Sequence, residues 1–188
     1  MPDLIRAFVA VRIPLLPQLQ TVLKPLVAMR WPVAAVAPEN LHVTLKFLGD
    51  IPTDQIAAIQ QQLLSVVRGQ PPFVLAVEQL GAFPSVERPS VVWVGLVDAE
   101  PLVALVNEIE SRLEPLGFAR ESRAFHPHLT VARIKGRPPR ELFDIIRRNS
   151  DTHFGTAEVR SIDLIRSELC RDGARYSLIS SHELVVAD

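Results

Sequence analysis

The order of strands and helices that the sequence predicts occurs twice along the chain. Alternation of apolar and polar residues indicates strands, and apolar residues three and four apart indicate helices. The predicted strands lie at 4–13, 41–50, 73–80, 91–96, 128–134, 157–168 and 174–186, and the helices at 15–30, from a Thr53 cap to about 68, at 100–116 and at 141–148. We therefore expect a single domain, residues 1–188, with two similar lobes at about 4–80 and 90–186 that are joined by the connection 81–90 and can exchange strands.

Length and composition agree with one domain that has its own core. Of the 188 residues, 48% are hydrophobic, which is enough to bury a core of that size. The single cysteine, Cys170, can form neither an internal disulfide nor a thiolate zinc cluster, so we expect a reducing, cytoplasmic setting. Charges or prolines interrupt every apolar run, so neither a membrane span nor a signal peptide is expected. Nothing in the sequence requires more than a monomer.

The charge of the chain is balanced overall but uneven along its length. A formal net charge of −1 argues against a protein that coats nucleic acid by neutralising many phosphates. Residues 112–148, however, hold nine basic and four acidic side chains, a net of +5 that leaves −6 for the remainder. A basic segment of this kind can attract a phosphate-bearing ligand, although such charges are also common on solvated helices and loops.

Two of the predicted strands carry the same pattern of histidine, apolar residue, threonine and apolar residue. The copies are residues 42–45 and 128–131. Alternate residues of a strand share a face, so His42 points with Thr44, and His128 with Thr130. One such tetrapeptide would be an ordinary surface pattern, but two copies at equivalent positions of a repeated order indicate a functional site.

Strand periodicity also places the basic residues that follow each tetrapeptide. On a regular strand, Lys46 shares the face of His42. Arg133 falls on the face opposite to His128, unless a β-bulge intervenes. Lys46 is therefore a candidate for binding substrate, although a lysine on the exposed face of a strand is usually only solvated.

Paired histidines suit displacement at phosphorus. One group must take a proton from the attacking oxygen, and another must give a proton to the leaving oxygen on the opposite side of the phosphate. Imidazole can do either near neutral pH. The neighbouring threonine hydroxyls can donate to the non-bridging oxygens and stabilise the charge that develops there.

These segments resemble a known family. The strings ENLHVTLKFLGD and FHPHLTVARI, with RAFVAV near the start and RSEL…GARYSL near the end, are similar to the 2H phosphoesterase superfamily, and most to its bacterial and archaeal RNA 2′,3′-cyclic phosphodiesterases, also called 2′-5′ RNA ligase-like proteins. The resemblance extends from Arg6 to about Tyr176. It implies an α+β bilobal fold, with two antiparallel sheets facing a central cleft and helices outside. It also implies hydrolysis of RNA 2′,3′-cyclic phosphate ends to 2′-phosphates without metal or cofactor, and in some members reversible 2′-5′ joining.

The resemblance further assigns roles to individual residues. His42 corresponds to the proton donor and His128 to the proton acceptor that activates water, an assignment that the two nearly equivalent motifs cannot make by themselves. Thr44 and Thr130 would hold the phosphate, and Arg133 would bind phosphate or RNA.

Two aromatic residues are further candidates for substrate binding. Phe8 and Tyr176 could stack on the terminal base, although core packing is the commoner role of an aromatic residue in a strand.

Two other functions fit the same residues. His126, His128 and His42 could bind a catalytic metal, because two histidines two apart on a strand present both rings to one side. The chain could also be a non-catalytic module that binds an RNA end, although intact histidines in both copies favour an enzyme.

Overall fold

The computed structural model describes residues 3–170 and 173–186. Its strands are β1 (Leu4–Arg12), β2 (Val33–Ala35), β3 (His42–Pro52), β4 (Phe73–Pro84), β5 (Pro89–Val97), β6 (His128–Ile134), β7 (His153–Val159), β8 (Ser161–Cys170) and β9 (Gly173–Glu183). Its α-helices are α1 (Pro17–Met29), α2 (Ile56–Val67), α3 (Glu100–Leu113) and α4 (Arg140–Arg148). None of the helices in these ranges has the length and apolar character needed to span a membrane.

The predicted elements are present, with three differences. The short strand β2 was not predicted. The predicted strand at 157–168 is two strands, because the chain crosses from one sheet to the other at Arg160. The predicted connection 81–90 is mostly strand, since β4 continues to Pro84 and β5 begins at Pro89.

The strands form two antiparallel sheets whose orders are alike. The first sheet has the order β3-β1-β8-β9, and the second has the order β2-β6-β5-β4-β7. In both sheets a motif strand, β3 or β6, pairs with the first strand of its own half, β1 or β5. The strand that follows comes from the other half of the chain, because β8 pairs with β1 and β4 pairs with β5. The two sheets therefore draw on both halves of the sequence, and the α+β architecture is as expected.

Helices pack against both sheets through their apolar residues. On the first sheet, α2 contacts β8 and β9, and α3 contacts β3. On the second sheet, α1 contacts β2 and β7, and α4 contacts β4. The helices bury apolar residues spaced three and four apart, namely Leu19, Val22, Leu23 and Leu26 of α1 and Ile59, Leu63, Val66 and Val67 of α2. Burial of each such side chain stabilises the fold by roughly 1.5–3 kcal/mol. Phe8, Ala10 and Ile165 form a separate small cluster on the opposite face of the first sheet.

Each motif strand contains a β-bulge at the same position of its motif. Thr44 lies opposite Ala10 and Lys46 lies opposite Val9, so Leu45 is an extra residue. In the second sheet Thr130 lies opposite Trp93 and Ala132 lies opposite Val92, so Val131 is the extra residue. The last apolar residue of both tetrapeptides is therefore bulged. An extra residue reverses the faces of everything that follows it on that strand.

Candidate active site

The two motif histidines are held in the same way. His42 Nδ1 lies 2.7 Å from the carbonyl oxygen of Asn40, and His128 Nδ1 lies 2.7 Å from the carbonyl oxygen of His126. A carbonyl can only accept, so both Nδ1 atoms donate and both Nε2 atoms are left to exchange a proton with a ligand. The local backbone thus fixes the orientation and the tautomer of both rings.

The two motifs lie next to each other across the space between the sheets. Strands β3 and β6 are in contact, although they belong to different sheets. Thr44, His128, Thr130 and Arg133 line one cavity of about 680 Å³. His42 and Tyr176 line a separate, smaller hollow of about 90 Å³. The structure therefore places Thr44 of the first tetrapeptide in one cavity with His128 and Thr130 of the second, and it places His42 close enough to Arg133, which lines that cavity, for the Arg133 charge to act on its pKa.

The bulge at Val131 brings Arg133 to the cleft. Arg133 lies opposite Val91, which shares its face with Trp93, and Trp93 lies opposite Thr130. The strand does contain the bulge that would bring Arg133 to the face of His128, and the Arg133 side chain lines the same cavity as Thr130.

The equivalent bulge has the reverse effect on Lys46, and the prediction that Lys46 shares the face of His42 was wrong. Lys46 lies opposite the core residue Val9 and is only 2% exposed. Its ammonium donates to Glu110 Oε2 at 2.6 Å and to the carbonyl oxygen of Ala119 at 2.8 Å. The hydrogen bonds of Lys46 are thus directed to α3 and to the segment that precedes β6.

The pKa of His42 is below the ordinary value for histidine. The largest cause is burial, which disfavours the charged ring, and the hydrogen bond to Asn40 acts in the opposite direction. The positive charge of Arg133 lowers the pKa further. An anion bound between these two residues would offset that charge.

Aromatic residues of the first sheet surround His42. The ring centroids of Phe8 and Tyr176 lie 5.0 and 5.2 Å from that of His42. Phe8 is only 3% exposed, so it packs beneath the histidine, whereas Tyr176 is half-buried and lines the hollow. Sequence reasoning treated the two residues alike, and the structure gives them different exposure.

A second aromatic pair, which sequence reasoning missed, lies beside His128. The Phe83 ring is 5.3 Å from that of His128 at 89°, and 5.2 Å from that of Trp93 at 32°. Local pattern could not place Phe83, because a register shift between Glu78 and Leu80 interrupts the alternation of β4 before it.

An ion pair next to His42, of which only the carboxylate is buried, was also missed. Arg12 lies opposite His42 in the β1–β3 register, and its Nε donates to Asp163 Oδ2 at 2.5 Å. The Asp163 side chain is 1% exposed and also accepts from Ser181 Oγ at 2.5 Å. No local signal could pair Arg12 with Asp163, because they are 151 residues apart.

The histidines do not form a metal-binding cluster. Within 3–170 and 173–186, no three histidine, cysteine or acidic side chains are grouped so that they could hold a metal ion. His126, His128 and His42 therefore do not form the three-ligand site considered above, and His126 contributes its backbone carbonyl to the orientation of His128.

Two sheets that bring two histidine–threonine strands to one cleft define a two-histidine phosphoesterase. The family model described as the 2′-5′ RNA ligase superfamily matches residues 17–169. The chain belongs to this superfamily, as the resemblance in its motifs implied.

Named relatives and solved structures agree with that membership. The RNA 2′,3′-cyclic phosphodiesterase of Archaeoglobus fulgidus is 42% identical over 144 residues, which is 77% of this chain and 80% of the relative. The protein of the same name from Aeropyrum pernix is 39% identical over 150 residues, 79% of this chain and 84% of the relative. A Thermus thermophilus crystal structure has a TM-score of 0.76 at 26% identity over 95% of this chain and 97% of its own. The crystal structure of Escherichia coli LigT in its apo form has a TM-score of 0.71 at 25% identity, over 97% of this chain and 99% of its own.

Proposed function

We propose that this protein hydrolyses the 2′,3′-cyclic phosphate end of RNA to a 2′-phosphomonoester, with His42 and His128 as proton donor and acceptor. The observation that carries the proposal is the matched orientation of the two rings, each with Nδ1 bound to a carbonyl and Nε2 left free. The names of the relatives from Archaeoglobus and Aeropyrum support the substrate class.

The proposed reaction is an in-line displacement that uses both histidines. His128 Nε2 takes a proton from water, and the water oxygen bonds to phosphorus while the bond from phosphorus to O3′ breaks. The O3′ atom takes the proton of His42, and the phosphate remains on O2′. Thr44, Thr130 and Arg133 stabilise the charge on the non-bridging oxygens.

The proton-donor role of His42 is consistent with its environment once substrate is bound. Burial and Arg133 lower the pKa of His42 in the free protein, which favours the neutral ring. A phosphate anion placed between the two residues neutralises the guanidinium charge and stabilises the imidazolium. In this proposal, substrate binding itself loads His42 with the proton that it donates.

The RNA end would approach along the basic part of the chain. Arg120 and Arg123 are exposed in the segment before β6, within the basic stretch 112–148, and would attract the phosphate backbone. The terminal base would contact Tyr176, which lines the hollow beside His42, with Phe8 packed beneath the histidine. We expect a monomer that acts in the cytoplasm, and 2′-5′ joining when an RNA 5′-hydroxyl takes the place of water.

The test uses an oligonucleotide with a 2′,3′-cyclic phosphate end. The wild type should release a 2′-phosphate, with EDTA as without it. His42→Ala and His128→Ala should each lower the rate by roughly 10²–10⁴-fold, the range of general acid–base catalysis. His153→Ala is the matched control, because His153 is exposed and paired with Glu78 on β4.

Each alternative has its own outcome in this test. Wild-type turnover by either motif variant would refute the paired-histidine mechanism. Activity that EDTA removes and metal restores would establish the metal-dependent alternative. Binding of the oligonucleotide without any product would establish the non-catalytic one.

A further inference from the structure

The cavity next to His128 has room for more than the attacking water molecule. One water molecule accounts for about 30 Å³ of liquid, whereas the cavity that His128 lines has a volume of about 680 Å³. The hollow beside His42 has about 90 Å³. Sites that hold drug-sized ligands run from about 300 to 1,000 Å³. The side of the cleft at which the proposed function places the nucleophile therefore has room for an organic group.

Phe83 offers that group a flat apolar surface. Its side chain is 38% exposed and lines the large cavity together with His128 and Arg133. The edge-on contact with His128, at 5.3 Å and 89°, puts the Phe83 ring directly beside the histidine. An exposed phenyl ring in a cavity of this size is a surface on which a nucleobase can stack.

The ring of Trp93, on strand β5 of the second sheet, packs against Phe83. A Cβ atom on Gly81 would lie 2.3 Å from the Trp93 ring, so the indole lies flat across the strand where Gly81 has no side chain. Trp93 Nε1 is buried and has no hydrogen-bond partner within the described ranges. Packing on the sheet and against Phe83, 5.2 Å away, holds the indole in place.

The corresponding strand of the first sheet is different. Ala10, opposite Thr44, occupies the place that Trp93 occupies opposite Thr130. The equivalent strands β1 and β5 therefore present different side chains, alanine and tryptophan, at the same place beside the motif threonine. The two sides of the cleft are thus suited to different parts of a substrate.

We propose that Phe83, supported by Trp93, is the stacking site for the base of a second nucleoside, whose 5′-hydroxyl takes the place of water at His128. This inference rests on the proposed function. His128 Nε2 takes the 5′-hydroxyl proton, O5′ bonds to phosphorus, the bond from phosphorus to O3′ breaks, and O3′ takes the proton of His42. The product is a 2′-5′ phosphodiester, and the same groups act in reverse when it is cleaved.

The test compares two alcohols that compete for the same position. The full chain is given 2′,3′-cyclic AMP with either uridine or methanol in excess, and the 2′-5′ dinucleotide, the methyl ester and the 2′-phosphate are quantified. Methanol has a hydroxyl but no ring, so the ratio of nucleoside transfer to methanol transfer isolates stacking. Phe83→Leu should lower this ratio about tenfold, within the range measured for base–aromatic stacking.

Phe47→Leu is the matched control. Phe47 lines the same cavity and is 62% exposed, but it lies on β3 and contacts Phe8 rather than His128. Its ratio should stay within about twofold of the wild-type ratio, which is small against the stacking effect. Circular dichroism of both variants checks that they are folded.

Four outcomes would overturn the inference. They are an unchanged ratio in Phe83→Leu, an equal fall in both variants, an equal loss of all three products in Phe83→Leu, and a wild type that hydrolyses but transfers nothing to uridine. A wild type that makes no 2′-phosphate would instead refute the proposed function, and the second subsite with it.

Discussion

The buried ion pair between Lys46 and Glu110 should be one of the most sensitive points of the fold. The Nζ–Oε2 distance is 2.6 Å, and the two side chains are 1% and 9% exposed. Glu110 Oε1 is buried with no hydrogen-bond partner in the described part of the chain, and Oε2 otherwise accepts only the Glu121 N–H at 3.3 Å. Lys46→Met would therefore leave a carboxylate that is buried and almost unpaired.

The expected loss follows from this burial. Removing one partner of a buried ion pair costs about 3–5 kcal/mol. For domains of this size each kcal/mol lowers Tm by roughly 2–4 °C, so Lys46→Met should lower Tm by about 6–20 °C. The double variant Lys46→Met/Glu110→Leu removes both charges and should recover at least about 2 kcal/mol of that loss.

Urea denaturation of the single and double variants, followed by circular dichroism, measures these differences. Arg112→Met is the matched control, because Arg112 also pairs with a glutamate of α3 at 2.6 Å, but with side chains 46% and 39% exposed. That exposed pair should contribute less than about 0.5 kcal/mol. The reasoning is wrong if Lys46→Met costs no more than Arg112→Met, or if the double variant is no more stable than Lys46→Met.

Three further predictions concern the cleft and the pH dependence. Arg133→Gln should raise the pKa of His42 towards its ordinary value of 6.5, because a neighbouring positive charge is removed; NMR titration measures this, and an unchanged or lower pKa contradicts it. Burial lowers the pKa of both His42 and His182, so these two side chains bind fewer protons in the folded chain than in the unfolded chain below about pH 6.5. Their contribution to the free energy of unfolding should be complete above that pH and decline below it, which urea titrations at several pH values would test against a flat profile. Gly81→Ala should cost about 1–3 kcal/mol and change the near-ultraviolet dichroism of Trp93, and an unaltered spectrum would refute the close packing.

Local pattern was enough to find the strands that carry the site. Alternation at 41–50 and 128–134 predicted β3 and β6, and the repeated tetrapeptide marked both histidines and both threonines. These predictions succeed because the face on which a strand residue lies, up to the first irregularity, depends only on its position in the chain.

The pattern failed where the strands are irregular. Because of bulges at Val131 and Leu45, Arg133 faces the cavity and Lys46 is buried against Glu110. A bulge is visible only in the register with the neighbouring strand. The same limit hid Phe83, whose strand was predicted to end at residue 80.

The sequence by itself determined the α+β class and the pair of motifs, because both depend on local periodicity and composition. Only the tertiary structure decided which strands pair, that β4 and β8 each join the sheet of the other half, and which partners are brought together. Arg12 pairs with Asp163, which is 151 residues further along the chain. Lys46 pairs with Glu110, which is 64 residues further along. Contacts over such separations depend on how sheets and helices pack as whole units, and no short stretch of residues records that packing.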